Sequence, residues 1–238
     1  MALAREASIK AALLKQYFRD ILYRDVVARH RVRDVRALEQ VAHHYLVNTA
    51  SLATHNRIKN TYGLAMDQVR SYTAHLEESY LIRSVARYSP KVSQQARAPR
   101  KVYAVDVGMR NAVSFRFSED IGRLAETVVH GQLSRDEDAR LFYWAGELEC
   151  DFNVHKGAGA TAAIQVCQEP DENLPEREVK GLLEAMRYFD LKEGTIVTNR
   201  ASFEREVEGR MVRAQPLWLW LLDASGQLPA AREEEGEG

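Results

Sequence analysis

The stretch Glu149-Cys150-Asp151-Phe152-Asn153-Val154-His155 decides how the second half of this chain is read. Alternate side chains of a β-strand point to opposite faces, so Glu149, Asp151 and Asn153 share one face while Cys150, Phe152 and Val154 share the other. Working outward, Leu141-Phe142-Tyr143-Trp144 reads as the preceding strand, Ala145-Gly146-Glu147 as the turn, and Ala162 to Cys167 as a third strand with Gln165 and Cys167 on one face. Upstream, a helix from about Glu119 to Leu133 buries Ile121, Leu124, Val128 and Val129. Its Glu126 and His130, at i and i+4, lie on one side.

Glu126, Asp151 and Gln165 are thereby expected to converge. The layout resembles that of PD-(D/E)XK metal-dependent nucleases, in which carboxylates on adjoining strands hold Mg and activate water for attack on a phosphodiester. The third element of such a site should read Glu-x-Lys, and here it reads Gln165-Val166-Cys167. A glutamine oxygen can still ligate a metal without bringing charge. A neutral thiol has no positive charge with which to steady the developing anion. Arg177 or Lys180, at the start of a helix from Pro175 to Phe189 whose apolar face is Val179, Leu182, Leu183 and Met186, could enter from another direction. The reading is therefore a site with Glu126 and Asp151 as metal-ligand positions and a degraded reactive motif at Gln165 and Cys167, with Arg177 as its possible rescue.

Composition sets the wider frame. With 238 residues, 45% hydrophobic and 28% charged, the chain can bury one large or two small cores. The apolar run Leu217 to Leu222 is far short of the ~20 residues that span a bilayer, and the charged first 24 positions carry no secretory core. Cys150 and Cys167 form neither a disulfide framework nor a zinc spacing, so a reducing cytoplasm is expected. A net charge of -1 conceals opposite halves: residues 1–110 hold 19 Lys+Arg against 9 Asp+Glu, and residues 111–238 hold 14 against 25. A basic first half is what a phosphate-binding partner requires. The same asymmetry also allows the two halves to attract each other. Residues 225–238 form an acidic low-complexity tail, expected to be disordered.

Residues 1–33 read as a helical linker segment with an apolar stripe of Leu13, Tyr17, Ile21 and Val26. From 34 to 110 the pattern is a winged helix-turn-helix: a helix capped by Asp34, a short helix carrying Ile58 and closed by Gly63, and a helix from about Asp67 burying Val69, Tyr72, Leu76 and Tyr80. Strands Leu81 to Ala86 and Lys101 to Val105 follow, with the link Tyr88 to Arg100 as the wing. A helix fits the major groove while basic loops reach the backbone, so Arg70, Ser71 and His75 would approach bases or phosphates, and Arg57, Lys59, Lys91, Arg97, Arg100 and Lys101 would contact phosphates. Winged helices also dock proteins, and that alternative stays open. From 111 to 224 strands and helices alternate, which predicts an α/β mixed sheet flanked by helices, with Trp218 and Trp220 in its core.

An ordered series of strings carries a family resemblance across about residues 17–222. They are Tyr23-Arg24-Asp25-Val26-Val27, Val69 to Ile82, Lys101 to Gly108, Gly122-Arg123-Leu124-Ala125-Glu126-Thr127, Glu149-Cys150-Asp151-Phe152 and Glu176-Arg177-Glu178-Val179. The series resembles the C-terminal half of a prokaryotic AAA-type ATPase family, in which a P-loop domain precedes a winged helix and a nuclease-like domain. The resemblance implies metal-ligand roles for Glu126 and Asp151, a third ligand position at Gln165 and a catalytic lysine position at Cys167. No Gly-x-x-x-x-Gly-Lys-Ser/Thr occurs in the sequence, and Lys156-Gly157-Ala158-Gly159 reads as a hairpin turn. This chain is thus expected not to be the ATPase. Three functions stand: a DNA-binding protein with a dismantled nuclease motif, an active Mg-dependent endonuclease, or a subunit regulating a P-loop ATPase encoded separately.

Overall fold

The computed structural model describes residues 7–114, 121–168 and 175–224. Within them the chain is a mixed α/β structure built on a nine-stranded mixed sheet flanked by helices. The acidic tail and the expected start of a helix at Glu119 lie outside the described residues.

The first helix, α1 (Ala7–Asp20), runs into a π-helical turn at Ile21–Ala28, and its apolar stripe buries Phe18, Leu22 and Val26. Asp34 caps α2 (Val35–Val47) by accepting the Ala37 amide at 3.0 Å, and Gly63 closes α3 (His55–Tyr62) at φ 67°, a left-handed conformation suited to glycine. Helix α4 (Met66–Glu78) buries Val69, Tyr72 and Leu76. These helices share one core with Leu81, Ile82, Val102 and Ala104. Tyr80, expected inward, is 64% exposed: the chain turns there at φ 58°, and the Arg83 guanidinium lies over its ring at 4.1 Å.

Strands β1 (Ser51–Ala53), β2 (Ile82–Arg87) and β3 (Arg100–Ala104) form an antiparallel edge in the order β1-β3-β2. Three-residue β1 has no periodicity to read, and the sequence gives no sign of it. The link between β2 and β3 holds a short exposed helix, α5 (Val92–Arg97), where only a polar loop was expected. After α6 (Val107–Val113) and α7 (Ile121–Leu133) come β4 (Arg140–Ala145), β5 (Glu149–Lys156) and β6 (Gly159–Cys167). Then follow α8 (Glu176–Tyr188), β7 (Glu193–Thr198), β8 (Phe203–Val207), β9 (Arg210–Pro216) and α9 (Leu217–Ala224). A short parallel pairing, Ala86 with Phe142 and Arg87 with Tyr143, joins β2 to β4, so the sheet runs on as β4-β5-β6-β7-β9-β8.

Two further cores cover this sheet. Val129, Phe152, Ile164, Val197 and Trp220 pack together with Tyr103 and Tyr143, while Cys150, Ala163, Cys167, Ile196 and Val212 pack with Leu182, Leu183 and Met186 of α8. Of the two tryptophans read as core, Trp220 is buried and Trp218 is 62% exposed, because one turn of α9 cannot present both to the sheet. Strand β3 serves two cores at once. Val102 and Ala104 face the N-terminal helices, and Tyr103 faces the second core.

Candidate functional site

Strands β5 and β6 pair as far as Phe152 with Ile164. At the next position Asp151 and Gln165 bridge the strands through their side chains. Asp151 Oδ2 accepts the Val166 amide at 2.9 Å, and the Asp151 amide donates to Gln165 Oε1 at 3.0 Å. Asp151 is thus fixed by a backbone donor on one oxygen, which leaves Oδ1 directed elsewhere. Helix α7 brings Glu126, and the start of β5 brings Glu149.

The group at the centre is Lys101. Its Nζ lies 2.7 Å from Asp151 Oδ1, 3.1 Å from Glu126 Oε1 and 2.5 Å from Glu149 Oε1, with a side chain only 5% exposed. Of the three donors an ammonium offers, hydrogen bonds go to Glu126 Oε1 and Asp151 Oδ1, and Glu149 adds a third ion pair. The Tyr103 hydroxyl, two residues along the same strand face, donates to Glu126 Oε1 at 2.7 Å. Burial alone would drive Lys101 toward neutrality, but Asp151, Glu126 and Glu149 outweigh it and hold its pKa well above the ordinary lysine value. For Glu126, burial and then the Asp151 charge push the carboxyl up to about 8, against the opposing pull of Lys101 and the Tyr103 hydroxyl. Burial, followed by the Glu126 charge, raises Tyr103 well above its usual value, so its hydroxyl remains a donor.

The surroundings are dry and aromatic. His130 stacks on Tyr103 with centroids 4.2 Å apart and contacts the Ser134 hydroxyl at 3.3 Å; burial holds its pKa down, to about 4. Asn153, on the Asp151 face of β5, is fully buried, and neither its amide nitrogen nor its amide oxygen has a hydrogen-bond partner among the described residues.

The sequence-expected site residues separate accordingly. Glu126 and Asp151 meet. Gln165 joins them, but its oxygen is engaged by the Asp151 amide and its Nε2 donates to Glu178. Cys167 is packed in the apolar cluster under α8. Arg177 is exposed and pairs with Glu178 at 3.1 Å, and Lys180 is exposed and pairs with Glu176 at 2.7 Å, so neither cation reaches the carboxylates. Lys101, expected in the wing among the phosphate contacts, is buried, because its face of β3 looks into the interior. The signal that could have found it is the string Lys101-Val102-Tyr103-Ala104, a lysine beginning an otherwise apolar strand.

The remaining basic residues stay on the surface. Arg57, Lys59, Arg70, Ser71, Lys91 and Arg100 are exposed. A cleft of about 430 Å³ between α4 and the link after β2 is lined by His55, Arg70, Arg97 and Arg100, with Glu77 as its one acidic wall residue. His75 is turned away from this group and stacks on His30.

As arranged, the carboxylates do not fit an Mg ion. The Lys101 ammonium occupies the space between them, and a divalent cation there would have to displace a buried charge held by two hydrogen bonds and a further ion pair.

Over residues 2–120, half of its length, the chain matches the domain of unknown function DUF8612, and it belongs to that family. It is also similar to Uncharacterized protein MJ1544 of Methanocaldococcus jannaschii, with 29% identity over 93% of this chain and 52% of that protein. The chain spans about half the length of this curated relative. No solved structure matches it. None of the helices among the described residues is long and apolar enough to cross a membrane.

Proposed function

We propose that the chain binds duplex DNA through a winged-helix module, residues 34–110, and that residues 111–224 are a PD-(D/E)XK-like domain whose metal position is taken by Lys101, reaching in from β3 of the first module. The observation that carries this reading is the Lys101 ammonium set among Glu126, Glu149 and Asp151. A nuclease needs an exchangeable divalent cation there to polarise phosphate and water. An internal lysine neutralises the same carboxylates and cannot be exchanged. The order of helix, short strand, two helices and two strands, together with the arginine-lined cleft, supports DNA as the ligand. On this reading the chain works beside a P-loop ATPase encoded separately, as a companion without cleavage chemistry of its own. Retention on duplex DNA at low salt, lost steeply as salt rises, is the expected outcome. Absence of retention at low salt would remove the DNA reading.

One specific observation favours a second reading. Lys101 stands beside Asp151, as the lysine of an active nuclease would, so the cation missing at Cys167 would be supplied from β3. An active Mg-dependent endonuclease would then cut DNA, and cutting would disappear in Asp151→Ala.

A further inference from the structure

Away from the carboxylate cluster, two distant parts of the sequence bring nitrogen and oxygen ligands together. His75 and Glu78, at i and i+3, share one face of α4. His30, just beyond the π-helical turn, packs against that face with its ring 3.7 Å from the His75 ring and 15° from parallel. The ligand atoms of His30, His75 and Glu78 all lie within 4.8 Å of one another.

The Glu78 carboxylate is divided between two neighbours. Oε1 faces Arg29 Nη1 at 3.3 Å, and Oε2 faces His30 Nε2 at 3.4 Å. The second distance is longer than an ordinary N–H···O hydrogen bond of about 2.7–3.2 Å. It equals the ligand-to-ligand edge, about 3.4 Å, of a tetrahedral zinc site with Zn–N and Zn–O bonds of about 2.0–2.1 Å. To close the third vertex the His75 ring has to turn out of its stack on His30, because imidazoles ligate in their ring planes and stacked rings point their nitrogens side by side. Arg29 keeps its own carboxylate oxygen and so orients Glu78 without competing for the other.

We propose that His30, His75 and Glu78 form a site for a divalent transition-metal ion of the zinc type, pinning the first helical segment to α4 and leaving a fourth position for water. Two imidazoles and one carboxylate suit zinc, cobalt or nickel far better than magnesium, which prefers oxygen ligands. A filled site would stiffen the helix that carries Arg70 on its outer face.

The test is zinc titration of the full chain after chelation, by calorimetry and by thermal unfolding. One equivalent should bind, and the melting temperature should climb with zinc concentration but not with magnesium. Glu78→Gln, at a half-exposed position where folding is not at stake, should weaken zinc affinity at least tenfold, as should His75→Gln. Asp151→Asn should leave it unchanged. Zinc without heat or stabilisation, equal affinity in Glu78→Gln, or loss of binding in Asp151→Asn alone would each overturn the proposal.

Discussion

The carboxylate cluster around Lys101 and the arginine-lined cleft beside α4 use charge in opposite ways. In the interior, an ammonium, the Glu126 and Asp151 carboxyls and a phenol are locked together at 2.7–3.1 Å and nearly excluded from water, with the Glu149 carboxylate, 40% exposed, closing the rim. At the surface, Arg70 and Arg100 are spread in solvent, engaged among the described residues by Asp67 at 3.6 Å and by the Ser84 hydroxyl at 3.2 Å. Buried charge resists exchange, because removing one partner strands the others. Solvated charge exchanges counterions freely, which is what binding a polyanion exploits. The difference explains why residues of one colour in the sequence have two fates, one structural and one available to a ligand.

The largest expected effect breaks the interior region. Lys101→Ala should cost about 3–5 kcal/mol in urea unfolding, since it leaves the buried Asp151 charge without its cation. Adding Asp151→Asn to that variant should recover part of the loss, and a Lys101→Ala protein as stable as the parent would show that the cluster is not held by its ammonium. Gly181→Ala tests the scaffold behind it. A methyl on Gly181 would sit 2.2 Å from the Glu149 carbonyl oxygen, so α8 or the start of β5 must move, at about 1–3 kcal/mol by thermal melting.

The surface region should respond in a different measurement. Arg70→Ala and Arg100→Ala should leave stability within about 0.5 kcal/mol while each lowers the slope of log affinity against log salt for duplex DNA by about 1. Unchanged slopes would place the DNA elsewhere. The smallest effect is a pH signature. Glu126 is raised to about 8 in the folded chain, above the value of about 4.3 for an unfolded glutamate. Its proton therefore contributes stability that is complete below the unfolded value and is lost as pH rises through about 8. Stability measured from pH 5 to pH 9 should decline on that account, and Glu126→Gln should flatten the decline.

How legible these regions were follows from the kind of signal each leaves. Helices capped by Asp34 and Gly63, and the alternation along Glu149 to His155, are local patterns, and the structure places these elements where they were expected. Glu126 and Asp151 could be paired because each sits on a strongly periodic element. Lys101 could not, because its neighbour in space is set by the joining of β2 to β4 over two residue pairs, a long-range event that no window of sequence records. Its place among Arg97, Arg100 and other cations made it look like one more surface charge. His75 is subject to the same limit. Its stacking partner, His30, lies on another helix, and helical spacing alone could not say which neighbour covers that side of α4. Strands β1 and β8 carry too little pattern to be legible, because one has three residues and the other alternates only weakly.

In the proposed function Lys101 occupies the position a catalytic cation would need, in a chain that binds DNA without cutting it. Incubation of the protein with mixed DNA and Mg or Mn, resolved on native and then denaturing gels, separates binding from cutting. Retarded DNA whose strands remain intact is the expected result. Strands cut by the parent chain and left whole by Asp151→Ala would contradict it.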